Sequence, residues 1–419
     1  MAANAAARDR RVRPASRPFL LPLLLLCLVF IFLAISLFKR ASPIAPRSSG
    51  TLQMSWNRES NSGGSCDYSI GSWIYDPMHG SGMYDSSCKE IFKGWNCIAG
   101  NKSNARDLIK WRWKPQSCDL PLFNPIWFME SHRHTNIGFI GDSLNRNMFV
   151  SLFCTLKRVS GEVKKWRPAG ADRGFTFLKY NLTIAYHRTN LLAHYSRWSA
   201  NPNGGELESL GYKEGFRVDV DVPETTWAEA MPFHDILIFN TGHWWWAPSK
   251  FDPVRTPMLF FERGQPMVPP LPPHVGLDLV LKYMIRYVEK ETKQSSIKFF
   301  RTQSPRHFEG GDWDHGGSCP RLSPLSTEQV DELFAINKNG TNVETRLVNQ
   351  HLHKALKGSE FHILDVTHLS EFRADAHPSS AGGKKHDDCM HWCLPGVTDT
   401  WNDIFATLLG EIESSRPSS

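Results

Sequence analysis

Phe19 to Phe38 reads FLLPLLLLCLVFIFLAISLF, twenty consecutive residues without a charge. That length matches the ~20 residues a helix needs to cross a hydrocarbon core, and it leaves this part of the chain few other options. A cleaved secretory signal has an apolar region of only about 7–15 residues and a small-x-small cleavage site. Here the run is longer and Lys39-Arg40 follows it directly, so the pattern predicts an uncleaved signal-anchor. Arg8, Arg10, Arg11, Arg13 and Arg17 precede the span, while Lys39, Arg40 and Arg47 follow it. The greater basic count on the first side places residues 1–18 in the cytoplasm and the rest of the chain across the membrane.

The same residues explain a misleading charge balance. The 419-residue chain has a formal charge of +6 and a pI near 8.8, which suggests a nucleic-acid binder. Within the first 47 residues, however, eight basic side chains stand against Asp9 alone, and the remainder carries 40 basic and 41 acidic groups. The globular part is electrically neutral, and no nucleic-acid partner is expected. A hydrophobic content of 41% with 21% charged residues excludes a disordered or multi-span chain.

Past the span lie eight cysteines: Cys66, Cys88, Cys97, Cys118, Cys154, Cys319, Cys389 and Cys393, with Cys27 inside it. An even set on the non-cytosolic side reads as four disulfides, whose pairing the sequence leaves open. Asn101, Asn181 and Asn339 each begin an N-glycosylation sequon and agree with that compartment. Residues 39–65, rich in Ser, Pro, Gly and Asn, predict a flexible stem. Residues 66–121 hold four cysteines among Trp73, Trp95, Trp111 and Trp113, which suggests a small, irregular, disulfide-braced subdomain.

From Asn136 onward strands and helices alternate. Asn136–Ile140 and Asp235–Asn240 read as strands, the second apolar enough to be buried on both faces. Leu144–Lys157 reads as a helix, as does the segment where Leu277, Val280, Leu281, Met284 and Val288 recur at helical spacing. Ile297–Gln303 and His362–Val366 are further strands. Ser326 with Gln329 forms a capping box, Glu344–Lys357 a helix closed by Gly358, and Thr398–Glu413 a terminal helix. The order predicts an α/β layered domain over residues 122–414 with a mainly parallel sheet.

In such sheets ligands collect at the carboxyl ends of strands. The first strand ends in Gly141-Asp142-Ser143, where Gly141 permits a tight turn and Ser143 sits at a helix N-terminus beside free N–H groups. A serine nucleophile needs a base, and the base needs a carboxylate. The loop His386–Gly396 offers both, as Asp388 and His391 three residues apart. Two alternatives stand beside that reading: a plain disulfide loop with a surface histidine, and a zinc site from His386, Cys389, His391 and Cys393, which oxidised cysteines would preclude. A second strand ends in Asn240-Thr241-Gly242-His243-Trp244-Trp245-Trp246. Asn240 is placed to donate into an oxyanion hole, and some of the three tryptophans are expected to lie exposed as stacking platforms for sugar rings.

Together these blocks resemble the plant trichome birefringence-like family, whose catalytic domain is of the GDSL/SGNH esterase type. The resemblance runs from Cys66 to Leu409. It rests on Gly71-Ser72-Trp73, Trp111-Arg112-Trp113-Lys114-Pro115, Cys118-Asp119-Leu120-Pro121, the Gly-Asp-Ser block continuing through Arg146-Asn147, Asn240-Thr-Gly-His243-Trp244, Arg301–His307, Arg373–Ser379 and Asp388–Gly396. It implies an SGNH-hydrolase-like three-layer sandwich in a single-pass type II Golgi membrane protein. The implied activity is O-acetylation of a cell-wall polysaccharide: xylan, mannan, xyloglucan or pectin. Ser143 would be the nucleophile, His391 the base and Asp388 its orienting acid. Gly141, Asp142, Arg146, Asn240, His243, Trp244 and Trp245 would line the oxyanion and substrate site. No cofactor or metal is expected. The acetyl donor, acetyl-CoA or a relayed acetyl group, enters as co-substrate, with a membrane protein that supplies it as a partner; the sequence has no nucleotide or coenzyme-A loop. A polysaccharide acetyl esterase and a non-catalytic glycan-binding protein are the competing readings. Tyr186–Tyr195 departs from the Trp- and Pro-rich version of xylan-acting members, in a loop where acceptor recognition is expected.

Overall fold

The computed structural model describes residues 66–416 apart from 81, 247–249, 339 and 382. The tail, the apolar run Phe19–Phe38, the stem and the sequon residue Asn339 lie outside the described residues. Among the described residues no helix is long and apolar enough to cross a membrane.

Strands β1 (Gly71–Tyr75) and β2 (Trp111–Pro115) form an antiparallel pair in the N-terminal segment. Strands β3 (Asn136–Gly141), β4 (Val163–Trp166), β5 (Arg173–Phe177) and β6 (Leu182–Arg188) follow, then β7 (Ala193–Ser199) and β8 (Glu214–Pro223). The rest are β9 (Ile236–Phe239), β10 (Met258–Glu262), β11 (Gln265–Pro266), β12 (Ile297–Arg301) and β13 (Phe361–Leu364). The principal helices are α1 (Pro125–Ser131), α2 (Ser143–Val159), α3 (Pro273–Glu291), α4 (Thr327–Phe334), α5 (Glu344–Leu356) and α6 (Val397–Ser415).

The central sheet has the order β13-β12-β9-β3-β6-β5-β4. Its first five strands run parallel, and β5 and β4 close one edge antiparallel. Alternation along each strand supplies both faces. Ile137 and Phe139 of β3, Ile236 and Ile238 of β9 and Phe299 of β12 point into the cluster shared with α1, α2 and α6. Ile140, Leu237, Phe239 and Phe300 point the other way, into the cluster with α3 and α5. Each such fully buried side chain contributes about 1.5–3 kcal/mol, so the sheet is fixed by burial on two sides.

The expectation of a mainly parallel sheet holds for that centre and fails outside it. A second, four-stranded sheet of order β11-β10-β8-β7 is mixed, with only β8 and β10 parallel. Phe216, Val218 and Val220 of β8 alternate into the cluster that contains Leu277 and Val280 of α3, which anchors this sheet on the body.

The cysteines pair as Cys66–Cys118, Cys88–Cys154, Cys97–Cys393 and Cys319–Cys389. Only the first closes within the N-terminal segment. Cys88 and Cys97 bolt that segment to α2 and to the loop before α6. Side chains extend the seam: Tyr84 Oη donates to Asp399, Trp73 Nε1 to the Leu369 carbonyl and Tyr68 Oη to Glu411. Arg373, paired with Asp375 at 2.9 Å, lies 4.5 Å over the Trp73 ring. The segment is therefore braced on itself by Cys66–Cys118 and also built into the body.

Asp399, in the first turn of α6, is interior and accepts hydrogen bonds from Ser151 Oγ, Gly396 N and Tyr84 Oη. Burial pushes its carboxyl up to about 6, although those three donors oppose the rise. A folded pKa above the unfolded value gives stability that is fully present below about pH 4 and lost as pH rises through about 6. Wild-type stability measured by urea unfolding should thus fall relative to Asp399→Asn between pH 4 and pH 7, by at most about 3 kcal/mol. A parallel pH profile in the two proteins would contradict this account.

Candidate active site

The turn after β3 is set by three residues that cannot be exchanged freely. Gly141 has φ +149°, and a Cβ on it would overlap Asn240 Oδ1. Asp142 and Asn240 then bond each other reciprocally: Asp142 N donates to Asn240 Oδ1 at 3.1 Å, and Asn240 Nδ2 donates to Asp142 Oδ1 at 2.9 Å. The Asp142 carboxylate also caps α2 by accepting from Leu144 N at 2.9 Å. Tyr186 Oη donates to the Gly141 and Asp142 carbonyls, so this side chain of the 186–195 stretch supports the turn from below. One turn on, Asn145 Nδ2 donates to the Ile140 and Ile238 carbonyls, and its Oδ1 accepts from Arg301 Nε. Burial lowers the Arg301 guanidinium to about 10, with the charge of Asp142 opposing that fall.

These contacts present Ser143 as the first residue of α2. Its Oγ lies 2.8 Å from His391 Nε2. On the other side of the ring, His391 Nδ1 lies 3.0 and 3.1 Å from the two oxygens of Asp388. Asp388 Oδ1 also accepts from His391 N, and Oδ2 from Lys384 Nζ at 2.8 Å. Burial raises the Asp388 carboxyl, but the charges and hydrogen bonds of His391 and Lys384 more than offset it and hold it well below the usual carboxylate range. Asp388 is thus an anion that keeps the proton of His391 on Nδ1 and leaves Nε2 to accept from Ser143. The Ser143 N–H has no acceptor among the described residues, and Asn240 Nδ2 has a second hydrogen to donate.

The loop carrying His391 is held from several sides by residues to which the sequence assigned no role. Asn147, one turn after Ser143, bonds the Trp392 backbone in both directions, at 2.7 and 3.2 Å. His377 Nδ1 donates to the His391 carbonyl at 2.7 Å, and the His307 ring lies behind it. Burial drives both of those histidines down, His307 to about 4. From the N-terminal segment, the Trp95 ring lies against His391 with centroids 5.1 Å apart, and its carbonyl accepts from Leu394 N. The only signal for Asn147, His307 and His377 was their place inside the motif blocks, and Trp95 stood in none of them.

Some of the other candidates lie away from the places expected of them. Trp245 is a core residue, 1% exposed, stacked on Phe260 and bonded to Thr241. Being buried, it cannot be a sugar platform; Trp244 and Trp246 remain half-buried at the rim. Asp142 offers no free N–H and is a clamp rather than an oxyanion donor. The Arg146 guanidinium lies over Trp95 and Phe92, which leaves it half-buried. Tyr186, His187 and Asn190–Ala193 are buried, so only Arg188, His194 and Tyr195 of that stretch reach the surface in part. Cys389 and Cys393 bond Cys319 and Cys97, so neither offers a thiolate to zinc. Asn101 and Asn181 are exposed.

Known proteins match along the whole globular region. A family described as the GDSL/SGNH-like acyl-esterase family found in Pmr5 and Cas1p matches residues 120–408, and the PMR5 N-terminal domain matches residues 64–119. Protein trichome birefringence-like 13 of Arabidopsis thaliana is 65% identical over 405 residues, covering 95% of this chain and 98% of that protein. Protein trichome birefringence-like 12 of the same plant is 44% identical, over 82% and 85%. Its xyloglucan O-acetyltransferase 2 is 31% identical, over 83% of each chain.

Asn147 carries a prediction of its own. Asn147→Ala leaves the buried Trp392 N–H and carbonyl unpaired, and should lower stability by about 1–3 kcal/mol in chemical unfolding. A loss below about 0.5 kcal/mol would show that the two bonds are replaceable.

Proposed function

The chain belongs to the trichome birefringence-like family of PC-esterase proteins, and from that premise we propose that it is a polysaccharide O-acetyltransferase acting through an acetyl-serine. The observation that carries the proposal is the hydrogen-bonded line Ser143–His391–Asp388. His391 Nε2 takes the Ser143 proton while Oγ attacks the donor's acetyl carbonyl carbon, forming a tetrahedral oxyanion. The Ser143 N–H and the spare hydrogen of Asn240 Nδ2 stabilise that oxyanion. Collapse breaks the bond to the donor's leaving group, which collects the proton from His391, and acetyl stays on Ser143. In the second half a sugar hydroxyl gives its proton to His391 and attacks the acetyl-serine, and Ser143 leaves with the proton restored.

Asp388 acts throughout by holding the ring and stabilising the imidazolium; it is not itself protonated. The Trp95 ring covers one side of His391. A neutral glycan suits a globular region with almost no net charge. The four disulfides and the anchor-like run Phe19–Phe38 support placing this region in the Golgi lumen, with a donor-supplying membrane protein as partner.

Incubating the protein with an acetyl donor and deacetylated glycans tests the scheme. Intact-mass analysis should show one acetyl group on the wild type and none on Ser143→Ala. Glycan acetylation should fall by roughly 10⁴–10⁶-fold in Ser143→Ala and in His391→Ala. Ser143-dependent loss of pre-existing acetyl esters, with no new ones, would make the protein an esterase. Glycan binding without turnover would make it a binding protein.

A further inference from the structure

Asp388 has a partner that a serine–histidine–aspartate line does not require. Its Oδ2 accepts from Lys384 Nζ at 2.8 Å and also lies 3.1 Å from His391 Nδ1. The backbone brings the lysine there. Ser379 and Asp388 exchange both backbone hydrogen bonds, each 3.1 Å long. Gly383 N and Lys384 N both donate to the Ser380 carbonyl, which turns Lys384 back towards Asp388. The N-terminal segment leaves room for the side chain: a Cβ on Gly94 would lie 2.7 Å from Lys384 Cε and 3.1 Å from its Nζ. Gly94 precedes Trp95, whose ring lies against His391.

This ion pair is only partly open to solvent, with the Lys384 and Asp388 side chains 21% and 17% exposed. Because both bonds meet at Oδ2, the ammonium can be no farther from His391 Nδ1 than those two distances laid end to end. A cation so near opposes the positive charge that His391 acquires with the Ser143 proton. The other charged and titratable groups around the pair are engaged elsewhere. His377 lies beneath the loop and His243 after β9, and burial drives both down. Arg301 and Arg306 stand behind His243, and Arg146 of α2 lies over the Trp95 ring. Lys102 of the N-terminal segment faces Asp375 and Asp387, and Asp387 accepts from Ser379 Oγ and Cys319 N. Lys385 and His386, on the same loop, are exposed. Among the described residues only Lys384 and His391 form ion pairs with the Asp388 carboxylate.

We propose that Lys384 is a positioning residue that steadies Asp388 and extends the working range of the His391 base towards acid. It touches neither Ser143 nor the imidazole and acts through the carboxylate. With the ammonium present, Asp388 divides its charge between lysine and imidazole. Without it, the whole charge falls to the imidazolium, which then gives up its proton only at higher pH. A general base works only above its own titration, so the acid limb of activity moves up when the cation is removed. For a unit charge at this range, discounted for solvent screening, the move is about 0.5–1 pH unit.

The inference rests on His391 being the base for Ser143, and the test separates it from the transferase reading. An alkyl fluorophosphonate reports on the base without any glycan: Ser143 Oγ attacks phosphorus, fluoride leaves and His391 takes the proton. The labelling rate of the full chain is followed against pH by intact mass, in the wild type, Lys384→Met, Lys384→Gln and Lys384→Arg. The acid limb should move up by about 0.5–1 pH unit in the two uncharged variants and return to the wild-type position in Lys384→Arg. A merely structural lysine would lower the plateau and leave the limb in place. An unmoved limb in both uncharged variants overturns the inference, as does an equal shift in Lys384→Arg. A wild type that is not labelled at any pH overturns it together with the base. Glycan acetylation is scored separately on the wild type. Its absence with a charge-dependent limb overturns the transferase and leaves Lys384 in its role; its presence with an unmoved limb does the reverse.

Discussion

The reciprocal bonds between Asp142 and Asn240 are what the rest of the site hangs on. They tie the carboxyl end of β3 to that of β9, two strands whose connection passes through β7 and β8 of the second sheet. They exist only because Gly141 has no Cβ to keep the Asn240 amide away. With the carboxylate thus fixed, α2 starts at one defined residue, and that residue is Ser143. Arg301 supplies the buried counter-charge, linked to the turn through Asn145. A hydroxyl placed by so many interior bonds loses little entropy on entering a reactive geometry.

The other half of the site is held differently. His391 lies on a loop, and loops do not position side chains well unless tied down. Here the ties come from α2 through Asn147, from the interior through His377, and from the N-terminal segment through Trp95 and the Cys97–Cys393 bond. The N-terminal segment therefore reaches the Ser143–His391 pair directly, which gives a physical reason for its presence beside the esterase-type domain.

The central fold was legible because its signals are local. The strand read from Asp235–Asn240 is β9, the helix read from Leu144 is α2, and the capping box of Ser326 and Gln329 begins α4. Gly358, with φ +81°, stands just past α5. Residues 160–230 stayed unread: β4 is a short edge strand, and β6 and β8 each take one neighbour, β3 and β10, from elsewhere in the chain. The same limit governed the site. Ser143, Asp388 and His391 stand in recognisable blocks, whereas the disulfide partners and the Trp95 contact depend on long-range packing. Trp245 was misjudged because a strand end was taken to leave aromatic rings outside, while a short helical turn folds this one back over Phe260.

The Cys97–Cys393 bond spans 296 residues, and that distance is also a delay. At about 5–20 residues per second of synthesis, the first cysteine waits roughly 15–60 s for its partner. Cys66 can close on Cys118 and Cys88 on Cys154 while the chain is still growing. Cys97 remains the odd thiol, and the Ser143 turn exists with no histidine facing it. The two late bonds, Cys319–Cys389 and Cys97–Cys393, form on either side of His391. A nascent chain thus lacks the Ser143–His391 hydrogen bond until His391 has been made, and the Cys319–Cys389 and Cys97–Cys393 bonds then fix the loop that carries it.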